Sequence, residues 1–117
     1  MTNRIYYLST CDTCRRILSQ INDIERFQLI DIKSNHLSIE ELEQLSQLSR
    51  LTYEELFNKR ARKYKDLNKS ALSENRFKEL ISTEYTFLKR PVIIYNSQVF
   101  VGNAKKTIET MLSIVNQ

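Results

Sequence analysis

The chain has 117 residues, a formal net charge of +4, 41% hydrophobic and 27% charged residues, and only two cysteines, one glycine and one proline. That length supports one domain with a single core and no need of disulfide staples; no stretch approaches the roughly 20 apolar residues of a membrane span, and Met1-Thr2-Asn3-Arg4 runs into an apolar segment without a secretory signal. The positive charge suits an anionic ligand or partner without specifying one, and cysteines used this sparingly fit a reducing, cytoplasmic location.

Ile5 to Leu8 reads as a buried strand, followed at once by Cys11-Asp12-Thr13-Cys14. Arg15 to Ile24 reads as a helix, with Ile17, Leu18, Ile21 and Ile24 at helical spacing. Phe27 to Ile32 reads as a second strand. The intervening crossover is long enough for a helix, so the two strands are expected to pair in parallel. Ser38 and Glu41 form a capping box ahead of Leu42, Leu45 and Leu48; Thr52 and Glu55 form a second, opening a short helix through Phe57. Ser73 caps a third helix whose buried stripe is Phe77, Leu80 and Ile81. No strand candidate falls between residues 33 and 85. Strand character returns at Val92–Tyr95 and Gln98–Val101, joined by Asn96-Ser97 as a tight hairpin. Gly102 ends the hairpin, and a last helix runs from Ala104 to Val115 with Ile108, Met111, Leu112 and Val115 inward.

A Cys-x-x-Cys at a strand-to-helix junction is the pattern of thiol–disulfide chemistry on a thioredoxin-like scaffold. The expected fold is therefore α/β: a thioredoxin-like βαβ…ββα mixed sheet split by an all-helical insertion. It reads as a single domain, with the core at about residues 1–33 and 86–117 and the insertion at about 34–85. Cys11 is expected as the nucleophile, because the helix N-terminus and Arg15 and Arg16 in the first turn favour its thiolate. Cys14, one turn inside the helix, is the expected resolving thiol. Other readings are inert thiols, or half a zinc site shared across a dimer, with His36 the one further soft ligand in the chain.

Two further segments carry signals. Pro91 stands directly before a strand, where a simple strand entry and a cis bond facing the cysteine weigh equally. Lys59-Arg60-Ala61-Arg62-Lys63-Tyr64-Lys65 reads equally as a solvated basic face or as a contributor to an anion site, since arginine forks match oxyanions. Direct nucleic-acid binding is the least favoured reading of that run. No glycine loop suited to phosphate is present.

Cys11-Asp12-Thr13-Cys14-Arg15-Arg16, Lys59-Arg60, Leu88-Lys89-Arg90-Pro91-Val92-Ile93 and Val101-Gly102, in this order, resemble the family of glutaredoxin-coupled arsenate reductases (ArsC) and the related Spx transcriptional regulators. The resemblance spans essentially the whole chain. It implies Cys11 as the nucleophile toward an oxyanion or a disulfide, Arg60 and Arg90 as oxyanion-binding, Pro91 as the cis-proline of the fold, and Arg15 in support. It implies no bound cofactor or metal; glutathione, glutaredoxin or thioredoxin would supply electrons. The reductases carry a third arginine shortly after the hairpin, where this chain reads Val101-Gly102-Asn103-Ala104, and they commonly lack a partner at the place of Cys14. The regulators carry Cys-x-x-Cys as a disulfide switch, but also a longer tail than one stopping at Gln117 and a glycine absent from Leu51-Thr52-Tyr53. Two expectations stand: a thiol-dependent reductase in which Cys14 or glutathione resolves the intermediate, or a redox-switched regulator binding RNA polymerase through a Cys11–Cys14 disulfide.

Overall fold

Four short strands build the sheet in the computed structural model, which describes every residue from Met1 to Gln117. β1 (Arg4–Tyr7), β2 (Gln28–Asp31), β3 (Val92–Tyr95) and β4 (Gln98–Val101) lie in the order β2-β1-β3-β4. β1 and β2 are parallel because their connection carries a helix, α1 (Asp12–Leu18); β3 pairs antiparallel with both β1 and β4. The hairpin turns at Asn96 and Ser97, both with positive φ as a primed turn requires. Gly102, at φ 88°, turns the chain toward α5 (Lys105–Val115). This is the thioredoxin-like βαβ…ββα mixed sheet that the sequence leads one to expect.

The chain divides into two compact units, one of Met1–Asn35 with Arg90–Gln117 and one of His36–Lys89. In the first, alternation along the strands sends Ile5 and Ile93 to one face of the sheet, where they meet Ile17 and Ile21 from the α1 segment, Phe27, and Met111 and Val115 of α5. Each such side chain contributes about 1.5–3 kcal/mol by leaving water. The opposite positions Tyr6, Val92 and Ile94 are also fully buried, so the strands read as continuous apolar runs.

α1 differs from the expected Arg15–Ile24 helix: it starts at Asp12 and stops at Leu18. Cys11 is already extended at its cap position, and beyond Leu18 the ladder tightens, the Gln20 and Ile21 N–H groups donating to the Ile17 and Leu18 carbonyls three residues back (3.1 Å each). The Ser19 hydroxyl donates to the Arg16 carbonyl (2.6 Å), and Asn116, near the end of α5, binds the Asn22 N–H and the Gln20 carbonyl (2.8 Å each). Asp23 turns left-handed, and a 3₁₀ turn at Ile24–Arg26 follows. Ile21 and Ile24 still reach the core.

The second unit holds α2 (Ile39–Ser49), α3 (Tyr53–Leu56) and α4 (Glu74–Thr83), with 3₁₀ turns at Arg62–Asp66, Lys69–Ala71 and Tyr85–Phe87. Both capping boxes form, Ser38 with Glu41 and Thr52 with Glu55, and Ser73 caps α4. Phe57 is its centre: fully buried, it stacks on Phe87 and meets Phe77 and Tyr64 edge-on. No helix of the chain is long and apolar enough to cross a membrane.

Candidate functional site

The turn from β1 into α1 places the two cysteines. Leu8 is buried, and its carbonyl accepts the Cys11 N–H at 3.0 Å; the Cys11 carbonyl then accepts the Arg15 N–H at 3.1 Å, the first hydrogen bond of α1. Cys11 thus occupies the cap position, extended at φ −96° and ψ 116°, with its side chain half-exposed above the first turn. Cys14 lies within α1 and is fully buried. Both are free thiols, close enough that each weighs on the other's ionisation.

Their acidities diverge. Burial is the largest single influence on Cys11 and opposes its ionisation. It is outweighed by the Cys14 N–H, the Cys14 thiol, the Arg90 guanidinium and the Thr13 N–H together, so the Cys11 thiol lies below its ordinary value. The amide influence falls short of a closed capping hydrogen bond. Cys14 is pushed up to about 11, first by burial and then by the neighbouring Cys11; the Leu8 N–H and Arg90 pull the other way without prevailing. One turn therefore holds a thiol disposed to ionise above one that keeps its proton.

Arg90 stands just before β3, joined to Pro91 by a cis peptide bond. The register that sets Tyr6 against Val92 brings this segment toward the end of β1 that leads to Cys11. The Gly102 N–H donates to the Pro91 carbonyl at 2.9 Å, bringing the Gly102–Ala104 stretch alongside. Arg90 is the cation that weighs on both thiols. Arg15 is exposed and ion-paired with Asp12 across the first turn.

Arg60 belongs to the other unit. It is exposed, follows the α3 segment, and its backbone N–H donates to Asn58 Oδ1 at 3.1 Å. Within the basic run around it, Lys59 pairs with Glu54 and Lys63 with Glu84, while the Lys69 ammonium sits 4.7 Å from the Tyr64 ring centre. His36 is exposed, its ring near that of Tyr85, and nowhere do three His, Cys, Asp or Glu side chains gather as a metal-binding group.

One pair at the thiol turn is not marked by sequence reasoning. Ser9 donates its hydroxyl to Asp31 Oδ2 at 2.6 Å, and its N–H lies 3.4 Å from Asp31 Oδ1. Asp31 closes β2, and its carboxyl is held below the usual range, chiefly by the Ser9 hydroxyl. A polar residue ending an apolar strand, opposite a serine in the next loop of a parallel pair, is the signal that could have found it.

The sequence pattern of the ArsC family matches residues 6–111. The global transcriptional regulator Spx of Lactiplantibacillus plantarum is 29% identical over 112 residues, covering 92% of this chain and 84% of that one. Spx 2 of Bacillus cereus is 27% identical over 115 residues, covering 92% and 85%. Among solved structures, the arsenate reductase from Vibrio cholerae superposes with a TM-score of 0.77 at 25% identity, covering 97% of this chain and 98% of that one.

Proposed function

The chain belongs to the ArsC family, and on that premise we propose that it is a thiol-dependent reductase with Cys11 as nucleophile. The observation that carries this reading is the split between the two thiols, Cys11 half-exposed and acidified, Cys14 buried and held protonated. The Cys11 thiolate attacks one sulfur of a disulfide, forming a mixed disulfide and releasing the other half as thiolate. Cys14 then gives up its proton and attacks the Cys11 sulfur; the Cys11–Cys14 disulfide forms and the second half leaves. The substrate has gained two electrons, and glutathione, glutaredoxin or thioredoxin returns them to the cysteines. Once Cys11 is in the mixed disulfide, its negative charge no longer opposes ionisation of Cys14. The first step thereby readies the second thiol for attack, although burial, the larger influence, remains. With an oxyanion such as arsenate, the Cys11 thiolate displaces one hydroxyl as water to form a sulfur–oxyanion adduct; glutathione or Cys14 then attacks the Cys11 sulfur, a disulfide forms, and the sulfur–oxyanion bond breaks with its electron pair leaving on the oxyanion, now reduced by two electrons. Arg90 steadies the negative charge, with Arg60 assigned to oxyanion binding by its match to the reductases. Pro91 and Arg15 are assigned as supports of the turn.

A second reading is favoured by the relatives named as Spx regulators. In it the same Cys11–Cys14 disulfide changes the start of α1 and switches affinity for RNA polymerase.

The two readings part in one experiment. Reduction of arsenate and of a small disulfide is followed through NADPH with glutathione and glutaredoxin, or with thioredoxin, for wild type, Cys11→Ser and Cys14→Ser. Turnover lost in Cys11→Ser supports the reductase, and Cys14→Ser tells whether Cys14 or glutathione resolves. No turnover with any donor, from protein whose thiols oxidise reversibly, sinks the reductase and leaves the regulator, to be tested by polymerase capture in both redox states.

A further inference from the structure

The turn that presents Cys11 is tied from outside by β2. Parallel pairing runs one residue past the end of β2, with the Ile32 N–H donating to the Tyr7 carbonyl at 2.9 Å, so the C-terminal end of β2 lies beside the turn that follows β1. Asp31 stands there. Its Oδ1 accepts the Lys33 N–H (3.2 Å), a local turn that any aspartate at a strand end can make. Its Oδ2 goes wholly to the Ser9 hydroxyl at 2.6 Å, in the range of a charge-assisted O–H···O⁻ bond. Local turn formation accounts for the first contact and not for the second.

Ser9 directly follows the residue whose backbone governs both sulfurs. The preceding residue, Leu8, has its carbonyl on the Cys11 N–H and its N–H facing the Cys14 sulfur. Thr10, the residue after Ser9, is exposed. Within the turn one backbone hydrogen bond, Cys11 to Leu8, spans the gap, and Asp31 is the side chain that fixes its middle.

We infer that Asp31, acting through Ser9, is a positioning residue for Cys11: it holds the β1–α1 turn so that the sulfur stays against the Thr13 and Cys14 N–H groups and near Arg90. This inference rests on Cys11 being the reacting thiol. Asp31 itself touches neither cysteine, and its own negative charge would disfavour a thiolate nearby, so geometry and charge predict opposite effects for its neutralisation.

The test is the pH profile of Cys11 alkylation by iodoacetamide on the reduced full chain, read peptide by peptide by mass spectrometry. Wild type is compared with Ser9→Ala, Ser9→Thr and Asp31→Asn, each with its thermal melt. Positioning predicts that Ser9→Ala and Asp31→Asn slow Cys11 alkylation near pH 7 by about threefold to tenfold and move the profile to higher pH. Ser9→Thr, which keeps the hydroxyl, restores the wild-type profile. Ser9→Ala removes a single oxygen from a folded loop, so it remains informative if Asp31→Asn melts early. A profile moved to lower pH by Asp31→Asn would mean that the charge alone acts, and overturns the inference. So does a low wild-type profile that no variant moves. A wild-type profile no lower than that of an ordinary thiol overturns this inference and the reading of Cys11 beneath it together.

Discussion

The helices of the two units begin differently. In the His36–Lys89 unit every α-helix starts on a hydroxyl that accepts an N–H of its first turn: Ser38 for α2, Thr52 for α3 and Ser73 for α4. Glu74 goes further and takes the Tyr53 and Glu54 N–H groups at the start of α3 (2.8 and 3.2 Å). In the other unit no side chain closes a capping hydrogen bond: α5 starts on Ala104, which has no acceptor to offer, and α1 starts on Cys11. A hydroxyl satisfies the first-turn donors permanently. A sulfur at the same place is a weak acceptor as a thiol and a strong one as a thiolate, so the donors act on its ionisation instead. On the proposed reading, the contrast separates helix starts that fix structure from one, at Cys11, that prepares chemistry.

The sharpest way to break the contrast is Cys11→Ser, which turns the reactive start into a structural one. Turnover should fall to background while stability rises by about 0.5–1 kcal/mol as the new hydroxyl caps α1, read as a higher urea midpoint. A variant that is inactive and less stable would show that the cap position was not limiting. Next comes Arg90→Ala, expected to cut turnover about 100-fold and move Cys11 alkylation to higher pH. An unchanged pH profile would remove Arg90 from the thiol's environment.

Alkaline stability probes the buried half of the pair. Cys14 keeps its proton in the folded chain up to about 11, whereas the unfolded thiol loses it near 9. Between those values the unfolded state binds fewer protons, so stability falls as pH rises, by about 3 kcal/mol in all. Urea melts of wild type and Cys14→Ala across that window check it; parallel pH dependences would contradict it. Smallest is the control from the second unit: Thr52→Ala should cost about 1 kcal/mol and leave the Cys11 alkylation profile untouched.

What was legible in the sequence was what is decided locally. The capping boxes, the Asn96-Ser97 hairpin and the cysteine turn each depend on residues within four positions of one another, and each stands where its residues indicate. The early end of α1 was not legible, because the segment just beyond it is held by Asn116, from the far end of the chain, through the Gln20 carbonyl and the Asn22 N–H. Nor was the company Arg15 keeps: its position in the first turn points toward Cys11, but Asp12 is three residues away on the same face and takes it. The Ser9–Asp31 contact waits on the β1–β2 register, which sequence periodicity does not set. The 3₁₀ turns of the second unit are too short to show any apolar period.

The excursion of the chain from Asn35 to Arg90 has a consequence in time. A ribosome finishes the cysteine turn about 75 residues before it reaches Arg90, which at ~5–20 residues per second is a delay of ~4–15 s. Throughout that interval the emerging β1 has no β3 to pair with, and Cys11 is without the cation that completes its surroundings. On the proposed reading the nascent thiol is an ordinary one, and the return of the chain brings the cation that favours its thiolate. Alkylation of ribosome-bound chains arrested before and after β3 has emerged would time that event.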